Sequence, residues 1–201
     1  MNARQVNATM FFVLYLAFLA WYNGWGMSPL TEAEVESYIA NLAPDAEGVE
    51  FVNRLRAMAA NDTGDEIFML NLNRYEYADG ETRDRPPVTY QAYGAGVVPM
   101  ILANAGHPMY SGRFPSFTVE GQSDWDEVIL VRYRSRRDFL SMVTSDAYQD
   151  IASRHRAGGI AYAEVSPTTA TFNLASPRLL VALLLLAPFI LVDWLLRRRQ
   201  S

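Results

Sequence analysis

The chain has 201 residues, 17 of them basic and 22 acidic, and no cysteine, which excludes disulfides, iron–sulfur clusters, thiolate zinc sites and cysteine nucleophiles. Every basic residue is arginine, so Schiff-base and phosphate-loop lysines are excluded too, and two histidines, His107 and His155, are too few for a His-rich metal site. Residues 28–177 hold 12 arginines against 21 acidic side chains, a net charge of −9, and such a surface argues against nucleic-acid binding, which neutralises phosphates.

In chain order, the first feature is an uncharged stretch at residues 10–25, MFFVLYLAFLAWYNGW. With Ala8 and Thr9 it approaches the ~20 apolar residues of a membrane-spanning helix. Trp21, Tyr22 and Trp25 gather at its far end, where aromatic rings favour the headgroup zone. A cleaved signal peptide is the competing reading, with Arg4 as its positive region and Gly24-Trp25-Gly26 as the cleavage site. The aromatic cluster fits a retained anchor better. Near the other end, residues 179–196 read LLVALLLLAPFILVDWLL and precede Arg197, Arg198 and Arg199. This run predicts a second membrane helix, kinked at Pro188 by loss of the hydrogen bond to the Leu184 carbonyl. Asp193 is expected at the interface, paired with Arg197. Arginine placement puts both termini in the cytoplasm and the middle outside it, in the periplasm of a bacterial cell. The expected partition is 1–27 anchor, 28–62 helical stalk or cap, 63–166 domain, 167–177 linker and 178–201 second anchor with its arginine tail.

Residues 31–42 open with a capping box, Thr31 and Glu34, and place Val35, Tyr38, Ile39 and Leu42 on one helical face. A second helix follows, to about Ala60, and Asn61-Asp62-Thr63-Gly64 ends it. Residues 65–75 alternate as a strand, with Phe68, Leu70 and Leu72 on one face and Ile67, Met69, Asn71 and Asn73 on the other. A charged loop at 76–87 leads to a helix over 88–104, bent at Pro99 and stopped by Gly106 in the C′ position. Strands are expected at 107–120 and 125–133, the second apolar on both faces. Ser135 and Asp138 cap a helix with a Phe139, Val143, Ala147, Ile151 and His155 stripe, which Thr144-Ser145-Asp146 can break in two. Gly158-Gly159 ends it, and 160–165 is the fourth strand.

The resulting βαββαβ order predicts an α+β, ferredoxin-like four-stranded antiparallel sheet with both helices on one face. Its open apolar face needs a cover, and a second copy of the sheet would supply one as an isologous dimer. Residues 65–165 resemble the DUF1330 family of the dimeric α/β-barrel superfamily. The resemblance rests on Tyr90-x-x-Tyr93, Val98-Pro99, Ala105-Gly106, Glu120-Gly121, the 128–133 strand, Ser135-Arg136-x-x-Phe139 and Ser145-Asp146-Ala147-Tyr148-Gln149. It implies a barrel-forming homodimer and no single activity, since relatives include monooxygenases, isomerases and binding modules.

In such barrels a cavity lies beside the sheet, and Asn71, Asn73, Tyr93, Arg113, Arg132 and Tyr133 are the candidate ligand-binding residues. His107 and His155 are the candidate catalytic bases, each with a plainer structural explanation: a residue beside Pro108 and a helix-end histidine. Arg132 and Tyr133 have Asp126 and Glu127 as expected partners. No triad, paired-carboxylate or metal constellation can be read from spacing, and no cofactor is expected. Two functions follow: a membrane-tethered binding module or accessory subunit of a membrane complex, or a small cofactor-independent enzyme acting on a hydrophobic compound.

Overall fold

A computed structural model of the chain describes residues 1–198 apart from 41, 43–45, 115–123, 157 and 174, with the side chains of 46 and 47 also outside the description. The chain forms two compact units, one of residues 26–170 and one of 1–25 with 171–201.

The first unit is built on four strands, β1 (Ile67–Tyr75), β2 (Gly106–Arg113), β3 (Glu127–Tyr133) and β4 (Ile160–Thr168). They lie in the order β2-β3-β1-β4 and every neighbouring pair is antiparallel. With the intervening helices this is the ferredoxin-like split βαβ arrangement. β1 is central because it is apolar on both sides: Ile67, Phe68 and Met69 are all buried. β4 runs three residues beyond its expected end, since Thr168 still pairs with Phe68. β2 is cut by a register shift between Pro108 and Tyr110, as expected where proline cannot donate to the ladder. The turn expected at 120–124 lies, as far as residue 123, outside the described residues.

The helices of this unit are labelled by following the N-terminal helix α1 (Ala3–Asn23), described below. α2 (Glu32–Ile39) starts at Thr31, and both arms of the capping box with Glu34 form. α3 is Ala46–Ala60. Val35, Ile39, Leu55 and Ala59 from these two helices enter the same core as Ile67, Met69, Val131, Tyr133 and Leu140. α4 (Val88–Ala103) continues through Pro99. Its left-handed terminal residue is Ala105 and not Gly106, which instead starts β2. Glycine is needed there because a Cβ would lie 2.9 Å from both Ile101 and Tyr133. The helix after β3 does break: α5 (Arg136–Val143), then α6 (Asp146–Ile151) with Ser145 as its N-cap, then a π-helical turn at Ala152–Arg156 that carries His155.

The loop from α3 into β1 turns on Gly64, whose φ is +80° and whose Cβ, if present, would lie 2.8 Å from the Met27 carbonyl oxygen. Beside it Asp62 accepts from the Leu30 and Gly64 amides, at 2.7 and 3.0 Å, and from Arg136 at 3.2 Å. One carboxylate thus joins three chain segments.

The second unit is a pair of helices, α1 and α7 (Pro177–Arg198). Both are long and apolar enough to cross a membrane by length and composition. Asn2 and Gln5 form a capping box at the start of α1, and Gly24 ends it in the left-handed conformation. α7 continues through Pro188. The helices run antiparallel. The start of α1 meets the end of α7 through Arg4 and Asp193 (2.7 Å) and through Asn7, whose amide donates to the Phe189 carbonyl (3.3 Å). At the other end Arg178 donates to Asn23 Oδ1 (2.6 and 2.9 Å) and lies over the Tyr22 ring.

Candidate functional site

The sheet register divides the sequence candidates between two faces. In antiparallel pairs, residues directly opposite share a face. Ile67 opposes Tyr133, Met69 opposes Val131, Asn71 opposes Ile129 and Asn73 opposes Glu127, so these residues line the helix-covered side. His107 opposes Arg132, which opposes Phe68, so those three belong to the other side. The register therefore sets His107 on the face opposite to Asn71 and Asn73. His155 sits on the π-helical turn.

Under α4 the helix-covered side holds a polar cluster. Asn73 is 2% exposed and its amide donates to the Tyr90 hydroxyl at 2.9 Å. Next to it Tyr75 donates to Glu127 Oε2, and Ser111 donates to Glu127 Oε1 at 2.7 Å. The Tyr75 and Tyr90 rings are 4.8 Å apart, and Tyr90 and Tyr93 are 5.4 Å apart. Tyr93 then shares a hydrogen bond with Tyr148 across 3.1 Å. Four tyrosines thus run from Glu127 to α6. Burial pushes the hydroxyls of Tyr75 and Tyr93 up and raises Tyr90 to about 12, so the cluster carries neutral phenols at neutral pH.

The local sequence accounts for this placement. Period-two alternation in β1 puts Asn71, Asn73 and Tyr75 on one face, and i, i+3 spacing puts Tyr90 and Tyr93 on one side of α4. α4 approaches closely because Gly96 faces Ile151, whose Cδ1 would lie 2.8 Å from a Cβ there, and because Gly159 has no Cβ, which would lie 2.7 Å from the Thr89 hydroxyl oxygen and 3.0 Å from the Tyr90 amide nitrogen.

Asn71 is half-buried and donates to the Met69 and Ile129 carbonyls, at 3.0 and 3.3 Å, so its own strand and the neighbouring β3 supply its partners. Tyr133 is buried and its hydroxyl rests 3.8 Å from the Met142 sulfur. Arg132 is 1% exposed and donates to Glu66 at 2.8 Å, not to the expected Asp126 or Glu127, because those two lie toward the far end of the strand. Glu127 belongs to Tyr75 and Ser111 instead. Arg113 is exposed and donates to the Arg83 carbonyl and the Tyr77 hydroxyl, at 2.7 and 3.3 Å. His107 has its basicity lowered by partial burial, opposed by its contact with the Pro108 carbonyl. Of the eight candidates, Asn73 and Tyr93 enter the cluster. Sequence reasoning missed Glu127, Tyr75, Tyr90, Ser111 and Tyr148 as its other members. Tyr75 was within reach of the same alternation that gave Asn73.

No protein-family model matches the chain, and no curated protein matches it. Two crystal structures of a protein of unknown function from Rhodopseudomonas palustris, one of the methylated protein, are similar at 25% identity and TM-score 0.51. They cover 66% and 67% of this chain and 98% and 97% of that one. A dabb family protein with a ferredoxin-like fold from Mesorhizobium loti aligns at 6% identity and TM-score 0.39, over 53% of this chain and 98% of its own. What the comparisons support is an uncharacterised α+β module.

Proposed function

We propose that the chain is a membrane-anchored binding module, held outside the cytoplasm by α1 and α7 and paired with a second copy through its uncovered sheet face, in the manner of the DUF1330 and dimeric α/β-barrel proteins it resembles. The observation that carries this reading is the asymmetry of the sheet. On the helix side the polar groups of Asn71, Asn73, Tyr75 and Glu127 are matched with protein partners. On the other side Leu70, Leu72, Val128 and Leu130 form an apolar patch that is half-exposed. An apolar patch on a sheet face favours docking over catalysis. The antiparallel packing of α1 on α7 supports a topology with both termini on one side.

Sizing the full chain in detergent by light scattering tests the pairing. A homodimer is expected, and Leu130→Arg should give a monomer with an unchanged circular dichroism spectrum. A stoichiometric foreign subunit from solubilised membranes would replace the homodimer with the accessory-subunit role.

A second reading, a small cofactor-independent enzyme for a hydrophobic compound, has one observation in its favour. Glu127 is 7% exposed and accepts hydrogen bonds from Tyr75 and Ser111, so a buried carboxylate is held in place by two hydroxyls. It requires a hydrophobic compound whose thermal stabilisation of the full chain is lost in Glu127→Gln.

A further inference from the structure

α4 is apolar on its outward side as well as its inward one. Val97 and Ile101 are buried in the core. Ala92, Ala95, Val98, Pro99, Leu102 and Ala103 are exposed, Leu102 by 56% and Val98 by 38%. Their spacing of three and four places all six on one face. No Asp, Glu, Lys or Arg occurs anywhere in residues 86–112, although residues 28–177 around them carry a net charge of −9. A helix on the surface of a globular domain ordinarily turns charged residues outward, and one that is apolar all round has both sides covered.

What covers the outer side is indicated by where the chain enters and leaves the sheet unit. α4 ends three residues before Gly106, which stands opposite Tyr133, itself opposite Ile67 at the start of β1. Thr168, the last residue of β4, pairs with Phe68 at the same end. The entering segment reaches that end too, since the Met27 carbonyl lies against Gly64 and the Leu30 amide donates to Asp62, just ahead of β1. Only residues 24–26 separate Met27 from the end of α1, and residues 169–176 separate Thr168 from the start of α7. The C-terminal turns of α4 therefore share one end of the sheet unit with both connections to the membrane helices. The charged 76–87 loop follows β1 at the opposite end.

We infer that the outward face of α4 docks on the lipid surface, with Val98, Pro99 and Leu102 turned toward the acyl chains. The inference rests on the membrane reading of α1 and α7. Burial of these side chains in the interface removes apolar area from water, which is favourable. The face brings no carboxylate that anionic headgroups would repel and no cation that would demand them. α4 covers the helix side of the sheet, so the proposed pairing through the opposite sheet face leaves it available.

The chain has no cysteine, so a single introduced one can carry an environment-sensitive fluorophore without competition. The test uses the full chain in phosphatidylcholine vesicles that contain nitroxide-labelled lipid, which quenches a fluorophore only at close range. Phe12, 63% exposed on α1, reports the membrane reading, and Val98 and Leu102 report the docking of α4. Asp79, exposed in the 76–87 loop, is the distant control. Labels at Phe12→Cys, Val98→Cys and Leu102→Cys should lose emission to the nitroxide lipid, and one at Asp79→Cys should stay bright. At Leu102 a nitroxide near the headgroup should quench more than one deep in the acyl chain, because an interfacial helix buries its face only about 5–10 Å. Val98→Glu added to the Leu102-labelled chain should abolish that quenching, while the same substitution leaves a Phe12 label quenched. A bright label at Phe12 overturns the membrane reading and the docking with it. Quenching at Phe12 with bright labels at Val98 and Leu102 overturns the docking alone, and a blue-shifted but unquenched Leu102 label would overturn it by showing that protein covers the face.

Discussion

Asn73 shows what one buried side chain asks of its surroundings. A buried amide without a partner forfeits about 1–3 kcal/mol, so the Tyr90 hydroxyl holds up β1 as well as α4. Tyr90→Phe should destabilise the full chain by that amount in a detergent thermal melt. Tyr93→Phe should cost about 1 kcal/mol or less, because its partner is a rotatable hydroxyl. The phenols also set an alkaline limit. Their basicities are raised by burial, Tyr90 to about 12, so their contribution is complete below the ordinary value near 10 and is lost as pH rises through the raised one. Absorbance at 295 nm should show the buried Tyr75, Tyr90 and Tyr93 ionising only together with unfolding.

Glu34 works in the opposite direction. Its hydrogen bond from Arg137, with those from Thr31, lowers it to about 2. A depressed carboxylate stabilises above its unfolded value, near 4.3 for Glu, and the contribution fades as pH falls toward the folded one. Glu34→Gln should therefore lower the melting temperature at pH 6, and the gap to wild type should close as pH falls from about 4 to about 2.

At the scale of elements, the ends of helices and strands were more legible than their partners. Thr31, Ser135 and Ser145 cap because a Ser or Thr hydroxyl satisfies an amide at the helix start, a local event written in three or four residues. Gly64 has a local and a tertiary component that can be separated. Gly64→Ala and Gly80→Ala both force alanine to a φ above +80° or at it, which costs roughly 1–2 kcal/mol. Only at Gly64 does the new Cβ also meet a carbonyl oxygen, that of Met27, at 2.8 Å, whereas nothing lies within 4 Å at Gly80. Gly64→Ala should thus be clearly the more destabilising of the two in a thermal melt. Gly106 taught the converse lesson. Its position after α4 suggested a helix stop, but Ala105 takes the left-handed turn and Gly106 is small because Ile101 and Tyr133 crowd it.

For the whole molecule, the proposed topology makes the 76–87 loop extracytoplasmic while both termini stay inside. A reporter active only in the cytoplasm, inserted in that loop, should be silent, and the same reporter at either terminus should be active. Signal from the loop would move the sheet unit to the cytoplasm and cancel the proposed location. The ion pairs at the ends of α1 and α7 fit this arrangement, since Asp193 meets both Arg197, four residues on, and Arg4, at the far end of the chain.

By itself the sequence determined whatever depends on near neighbours. Alternation gave β1 its two faces, helical spacing gave the buried stripes of α2 and α5, and unbroken apolar length marked α1 and α7. The βαββαβ order followed, and with it the sheet topology. Tertiary structure decided which polar group met which. Arg132 found Glu66 rather than its strand neighbours, and Glu127 found Tyr75, 52 residues away. Periodicity assigns a side chain to a face. It carries no information on what stands across from that face, because the partner's position is fixed only when the strands register and the helices settle on the sheet.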